Sequence, residues 1–517
     1  MLPPFTNEAL TDFSNPENKK KMEAALAAVE KEFSREYPIV IAGEKITLKE
    51  KIRSYNPAKK DQVVGTVQKG TKEHALKAID AAWRAFDTWK YVDAEKRADY
   101  LVKIAAEMRR RKFELSAWMV YEIGKNWVEA DADVAEAIDF CDFYAREAIR
   151  LGGAHPCLPW VGETNELHYI PLGAGAVIPP WNFPLAILTG MTTAAVVSGN
   201  TVVLKPASDT PIIAAKFMEI AESVGLPAGV INFLPGPGGE VGETLITHPR
   251  IRFISFTGSR EVGLHINEEA GKTRPGQKWI KRVIAEMGGK DAIIVDSDTD
   301  IDEAADATAR SAFGFQGQKC SACSRVIVDA KIYDAFLDKL CERVKKITMG
   351  PTSDPANWMG PVSSKNAYDK NREYIKIGGK EGRIVCGGES SDEKGYFVSP
   401  TVIADVSSSA RIAQEEIFGP VLSVIKAKDF DDAVAIFNGT DYGLTGGVFT
   451  KNADKIASAR RECFCGNFYV NRKITGALVG VQPFGGYNMS GTCSKAGGSD
   501  YLLLFMQAKC ISEKLQK

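Results

Sequence analysis

Net charge is almost missing from this chain: 65 basic residues face 66 acidic ones, for a formal charge of −1. So weak a field neither gathers a polyanion such as nucleic acid nor holds a protein on an anionic membrane. Uninterrupted apolar runs of the ~18 residues that a bilayer-crossing helix needs are absent as well. The start, "MLPPFTNEALTDFSNPENKKKMEAAL", has no apolar signal core and is too acidic for a transit peptide. Cysteine is sparse, at 10 in 517 residues. Only Cys320/Cys323 has CxxC spacing, Cys463/Cys465 does not, and no second pair stands at zinc-finger distance. No metal site is expected, and scattered free thiols suit a reducing, cytoplasmic compartment. There are no internal repeats and no low-complexity tracts. What remains is an ordinary globular composition, 44% apolar and 25% charged, long enough for two or three domains.

From Lys72 to about Arg150 the apolar residues recur at helical spacing, with Leu101, Ile104, Ala105 and Met108 marking one face. "HPCLPW" and "ETNELHYIPLG" read as a short strand pair. Next comes an alternation of strands ("GAGAVIPP", "TVVLKPA", "GVINFLPG", "RIRFISFTG") with helices. A second alternation begins near Glu286 with "DAIIVDSD" and "SRVIVDA". Strands separated by helices require a parallel sheet with right-handed crossovers. The fold class is therefore α/β with a nucleotide-binding layout. The end, "DYLLLFMQAKCISEK", reads as a terminal strand that needs an edge, in its own chain or in a partner subunit.

Four short stretches carry chemistry. "FGFQGQKCSACSRVIV" sets Cys320 among small neighbours (Gly317, Ser321, Ala322), which leaves room for a substrate beside the sulfur. A cysteine is equally often a small buried hydrophobe. As a nucleophile it needs a polarising site or a base, because the thiolate is what attacks. Cys323 abuts the strand and is expected to be buried. "AVIPPWNFPL" places Asn182 in a stiff turn at a strand's carboxyl end, where open α/β sheets hold ligands. It is either a turn residue or an amide donor to a developing oxyanion. "IAEMGGKDAIIV" holds Glu286 among apolar and glycine residues, where burial would raise its pKa toward general-base use; otherwise it is a surface charge. "FISFTGSREVG" puts Gly258, Ser259 and Gly263 at a strand-to-helix junction able to hold a phosphate, but without G-x-G-x-x-G spacing.

Taken in order, "PWNFP", "KPAS", "FTGS" with Gly263, "EMGGK", "GQKC", "EEIFGPV" and "PFGG" resemble the aldehyde dehydrogenase superfamily, from about residue 38 to the end. The resemblance implies a Rossmann-like cofactor domain, an α/β catalytic domain and a small β oligomerisation flap. On this chain they would be residues 1–150 with 166–285 (1–37 a helical extension), 286–485, and 151–165 with 486–517. It also implies NAD bound without the usual glycine-rich loop. Cys320 would attack the aldehyde to give a thiohemiacetal, with Asn182 and the Cys320 N–H as oxyanion hole. Glu286 would activate water against the thioester. Lys205 would hold the adenosine ribose with Ser208 beside it, Ser259 and Gly258 the pyrophosphate, and Glu416 the nicotinamide ribose. Phe418, Pro180 and Trp181 would line the ring site. This reading asks for an ionised Cys320 sulfur near both the aldehyde carbon and the nicotinamide.

Finer likeness, in "TGALVGVQPFGG", "QKCSACSRV" and "EADADVAEAIDF", points to the members that oxidise L-glutamate γ-semialdehyde, the open form of pyrroline-5-carboxylate, to L-glutamate. That substrate's carboxylate would meet the N–H groups of Gly476 and Ala477 and the Ser321 hydroxyl, with Lys319 adjacent. Phe183 and Phe484 would wall the aliphatic part, or else be ordinary core aromatics. Glu136 would lie near the pocket, or else be one more charge on an acidic helix. The resemblance further implies a homo-oligomer and functional coupling to a separate proline dehydrogenase. Many NAD-preferring members carry a glutamate after "KPA"; Ser208 stands there, so NADP is expected to be better tolerated. The rival readings are a dehydrogenase for another semialdehyde, such as succinic, and a non-catalytic binding protein on the same scaffold.

Overall fold

The computed structural model describes residues 2–515. Its first sheet has seven strands in the order Arg282–Glu286, Phe253–Thr257, Ala174–Ile178, Thr201–Leu204, Ile231–Phe233, Ile39–Ile41, Glu44–Ile46. The first five run parallel and the last two are added antiparallel. The chain begins the parallel part at Ala174–Ile178, winds outward one way, then returns to wind the other way. This is a doubly wound sheet whose direction reverses between Ala174–Ile178 and Phe253–Thr257. Both faces are covered, so neighbouring strand residues enter opposite cores: Val177 and Val202 on one side, Ala176 and Val203 on the other. That explains apolar runs without alternation.

The helices read from the sequence are Lys72–Trp89, Ala94–Arg110, Lys112–Ile123 and Trp127–Leu151. Leu101, Ile104, Ala105 and Met108 are all buried. A second seven-stranded sheet has the order Arg383–Cys386, Thr401–Ala404, Val421–Ala427, Arg325–Asp329, Ala292–Val295, Thr445–Phe449, Asn467–Val470. It is parallel except at its first strand. Glu286 ends the first sheet and Ala292 opens the second, so the segment "MGGKD" crosses the whole cleft between them.

The third sheet pairs Met506–Lys514 with Glu163–Pro171 over nine positions, and the latter with Ala154–Pro156. The terminal strand thus finds its edge within its own chain. It is also shorter than its apolar run suggested. Tyr501–Phe505 is a 3₁₀ turn packed in the core, and the strand starts only at Met506. The guanidinium of Arg282 fixes that change by donating to the carbonyls of Leu503, Leu504 and Met506 at 2.7–3.1 Å. Near the N-terminus, Pro16–Glu30 is a helix with Asn15 as its cap, and residues 2–12 run extended over the helix Trp127–Leu151. Among the described residues no helix is long and apolar enough to cross a membrane.

Candidate active site

Carboxyl ends of the first sheet face amino ends of the second, and the candidate residues line that seam. The segment leading to Cys320 is held in a costly conformation. Phe315, Gln316 and Gly317 all have positive φ, at 48°, 56° and 67°. Two such side-chain-bearing residues in succession are strained, and the surroundings must enforce them. Gln316 is buried and donates to the carbonyls of Gly124 and Pro361 at 3.1 and 2.7 Å. Gly317 admits no side chain, because a Cβ would lie 2.4 Å from the Gly419 carbonyl. The result is a half-buried Cys320 whose backbone N–H has no acceptor among the described residues. Cys323, in contrast, is 1% exposed and its thiol is turned to the Arg325 carbonyl at 3.1 Å.

Burial pushes the Cys320 thiol well above its usual range, and the carboxylates of Asp291, Glu286 and Glu416 push the same way. Only the Ser321 N–H favours the thiolate. The sequence reading asked for an ionised sulfur; these surroundings favour the neutral thiol. A nucleophilic role would therefore need a base at hand.

Glu286 has the properties a general base needs. Burial raises its carboxyl to about 7, against hydrogen bonds from the hydroxyl and N–H of Ser494 that lower it. Its Oε1 takes both of those bonds, while Oε2 is buried without a partner among the described residues. Asn182 is buried and donates from Nδ2 to the carbonyl of Gln318 at 3.0 Å, two residues before the thiol. Its second amide hydrogen has no acceptor among the described residues. Pro180 and Asn182 follow the carboxyl end of Ala174–Ile178, beside the sheet's reversal point.

The glycines of "MGGKD" show how close the two halves come. A Cβ on Gly288 would lie 2.1 Å from Oε2 of Glu416, and one on Gly289 2.7 Å from the Cys320 carbonyl. Glu416 accepts from the Gly289 N–H at 3.0 Å. Two residues on, Phe418 (φ 60°) stands edge-on to Trp181, with ring centroids 5.4 Å apart. Lys205 is buried just after Thr201–Leu204 and among the described residues finds only the Pro206 carbonyl, at 3.1 Å; burial lowers its ammonium to about 8. Ser259 caps the helix Arg260–Gly271 by accepting from the Val262 N–H at 3.3 Å. Gly263 packs so tightly that a Cβ would meet Met287 Sδ at 2.4 Å. The Gly258 N–H donates to the Glu286 carbonyl at 3.0 Å, and Ser208 is exposed.

The remaining candidates belong to or border a charged cluster whose other members, Lys125, Glu129 and Asp133, sequence reasoning missed. Lys125 is fully buried. It pairs with Asp133 at 2.6 Å, and its ammonium lies over the rings of Phe183 and Phe315, 4.0 and 4.7 Å from their centroids. Phe183 is thus tied to the strained segment before Cys320. Lys319 is spoken for by both oxygens of Glu129, each at 2.7 Å. Glu136, on the same helix, is raised to about 8 by burial and by Asp133. Gly476 (φ 77°) and Ala477 sit in a loop where neither N–H has an acceptor among the described residues. Ser321 is nearly buried beside Cys320. Phe484 exchanges both backbone hydrogen bonds with Ala496, at 2.9 and 2.7 Å. The one available clue to Glu129 and Asp133 was spacing: with Glu136 they recur at helical intervals in "EADADVAE".

Residues 45–511 match the model of the aldehyde dehydrogenase family. The chain is 56% identical over 513 residues to a 1-pyrroline-5-carboxylate dehydrogenase of Geobacillus kaustophilus, covering 99% of this chain and 100% of that one. Its structure superposes on that of a 1-pyrroline-5-carboxylate dehydrogenase from Thermus with bound NAD, at a TM-score of 0.98, 52% identity and 99% coverage of both chains. Proline utilization A (PutA) from Bdellovibrio bacteriovorus gives a TM-score of 0.97 at 46% identity, covering 99% of this chain and 53% of that one. The chain belongs to the aldehyde dehydrogenase family.

Proposed function

We propose that this protein oxidises L-glutamate γ-semialdehyde to L-glutamate with NAD, through a covalent adduct on Cys320. The observation that carries the reading is the seam itself. It holds a half-buried thiol, a carboxyl of pKa about 7 and a buried amide, in a chain alike from end to end to the dehydrogenases named above. Attack forms a bond from sulfur to the aldehyde carbon, and the carbonyl electron pair moves onto oxygen. The Cys320 N–H and the free Asn182 amide hydrogen stabilise that oxyanion, commonly the largest single catalytic contribution. The thiol proton goes to Glu286, whose unpartnered Oε2 is its acceptor.

The residues present fit a dinucleotide. Lys205 has a buried ammonium with a lone carbonyl partner, Ser259 opens a helix where a phosphate is favoured, and Glu416 keeps an oxygen free for a hydroxyl. NAD, when bound, supplies the hydride acceptor that takes the aldehyde carbon to the acyl level. Trp181 and Phe418 would flank its ring. Glu286, having released its proton, then deprotonates water for attack on the thioester; the carbon–sulfur bond breaks and the thiol is restored. The N–H groups of Gly476 and Ala477, with Ser321, would hold the substrate carboxylate, and Glu136 its ammonium end. Phe183 and Phe484 would wall the chain between. On this reading the first sheet is the cofactor unit, the second the catalytic unit and the third an oligomerisation flap. The protein works as a cytoplasmic homo-oligomer coupled to proline dehydrogenase activity.

Steady-state kinetics with L-glutamate γ-semialdehyde, succinic semialdehyde and propanal test the assignment. The first should have the highest kcat/KM, and a preference for either of the others overturns it. Cys320→Ser should abolish NADH production while NAD still binds; retained activity would move the nucleophile elsewhere.

A further inference from the structure

The extended residues 2–12 reach the far side of the loop that carries Gly476 and Ala477. Nδ2 of Asn7 donates at once to Oδ2 of Asp139 (2.8 Å) and to the carbonyl of Val479 (2.9 Å). The Glu8 N–H takes the other oxygen of Asp139 at 2.6 Å. Asp139 stands on the helix that bears Glu129, Asp133 and Glu136. One amide side chain therefore fastens the loop to that helix. Beside it, Phe5 packs edge-on against Phe143, centroids 5.2 Å apart, and both rings close on Gly480, where a Cβ would lie 3.1 Å from Phe5 and 3.2 Å from Phe143. The arm is anchored separately farther along, where the N–H and hydroxyl of Thr11 both bond Asp131 at 2.7 and 2.5 Å.

We infer that Asn7 is a positioning residue: the N-terminal arm sets the height of the Gly476–Gly480 loop over the pocket and so tunes affinity for the carboxylate end of the substrate. The loop's own backbone ties are few. The Gly480 N–H donates to Gly497, and the N–H groups of Val481 and Gln482 to Leu478. The free N–H groups of Gly476 and Ala477 point to the ligand only if the loop is held, and an anion clamp of neutral donors loses binding when they diverge. The inference rests on the proposed substrate for its kinetic consequence, but not for its structural one.

Two measurements on Asn7→Ala, with Thr11→Ala as companion, decide it. Losing one hydrogen bond that holds a binding loop, worth roughly 0.5–1.5 kcal/mol, should raise KM for the semialdehyde about two- to tenfold. The kcat should change less than about twofold, and KM for propanal, which has no carboxylate, should stay put. Deuterium exchange at residues 480–482 should accelerate. Thr11→Ala loosens the arm elsewhere and should lower Tm comparably without moving KM. Equal KM shifts in the two variants, a parallel rise for propanal, or unchanged exchange in Asn7→Ala would each overturn the inference. If the wild-type protein ignores the semialdehyde, the functional reading fails, and exchange at residues 480–482 alone decides whether Asn7 positions the loop.

Discussion

Removing the Ser494 hydroxyl should shift the pH at which the enzyme loses activity. Ser494 is buried and gives Oε1 of Glu286 both its hydroxyl and its N–H. Both bonds stabilise the carboxylate, so they hold the pKa down while burial pushes it up, with about 7 as the outcome. Ser494→Ala deletes the hydroxyl and keeps the N–H. A hydrogen bond to a charged group contributes about 1.5–3 kcal/mol, and one pKa unit corresponds to about 1.4 kcal/mol. The carboxyl should therefore rise by about one to two units. Since the base must be ionised to work, the acid limb of the kcat profile should move from near pH 7 to about pH 8–9. At pH 7 turnover should fall about five- to fiftyfold, with activity regained in alkali. Ser494→Thr retains the hydroxyl and should keep the limb close to the parent's. The assay is kcat against pH for the three proteins. An acid limb in Ser494→Ala that stays near 7 or moves downward would refute the assignment of Glu286 as the titrating base.

Stability should follow from the same carboxyl. A folded pKa raised above the unfolded value makes the ionised form destabilising; this cost is absent below the unfolded pKa and complete above about pH 7. Glu286→Gln should accordingly raise Tm at pH 8 and not at pH 4, while thioester hydrolysis is lost; a lower Tm at pH 8 contradicts this. Gly288→Ala puts a methyl where Glu416 has its carboxylate, so NAD affinity by fluorescence titration should fall at least about tenfold, or ~1.4 kcal/mol, with the fold intact by circular dichroism. Lys125→Met leaves Asp133 buried with only the Ala186 N–H, at 2.6 Å. Urea unfolding should show a loss of about 3–5 kcal/mol, because a buried carboxylate without its partner is costly. The double variant Lys125→Met/Asp133→Leu should recover much of that loss. Ser208→Glu should increase discrimination against NADP by about tenfold through repulsion of the 2′-phosphate, with no change for NAD; unaltered NADP kinetics would place that phosphate elsewhere.

Several features could be read without coordinates because they are local. The amphipathic stripe through Leu101 and Met108 follows from helical spacing. The apolar strands separated by helices demand a parallel, doubly covered sheet. The stiff "IPPWN" turn had to lie at a strand's carboxyl end, and it does, at the reversal point of the first sheet. Cys323 could be expected inside because it abuts a buried strand. The motif order was enough to collect Cys320, Glu286, Asn182 and Glu416 as one group.

Local sequence could not state what depends on two distant segments meeting. Cys320 lies at the amino end of its own strand, contrary to the usual rule for such sheets, because the second sheet faces the first head to tail across five residues. The protonation of its sulfur is set first by burial and then by Asp291, Glu286 and Glu416, all remote from Cys320 in sequence. Lys125 beneath Phe183 and Phe315, and Asn7 on Val479, are likewise contacts between residues remote in sequence. The chain by itself determined which elements form and which side chains can react. Charge state and loop position came only with folding, because burial and electrostatic fields depend on distance in space rather than along the chain.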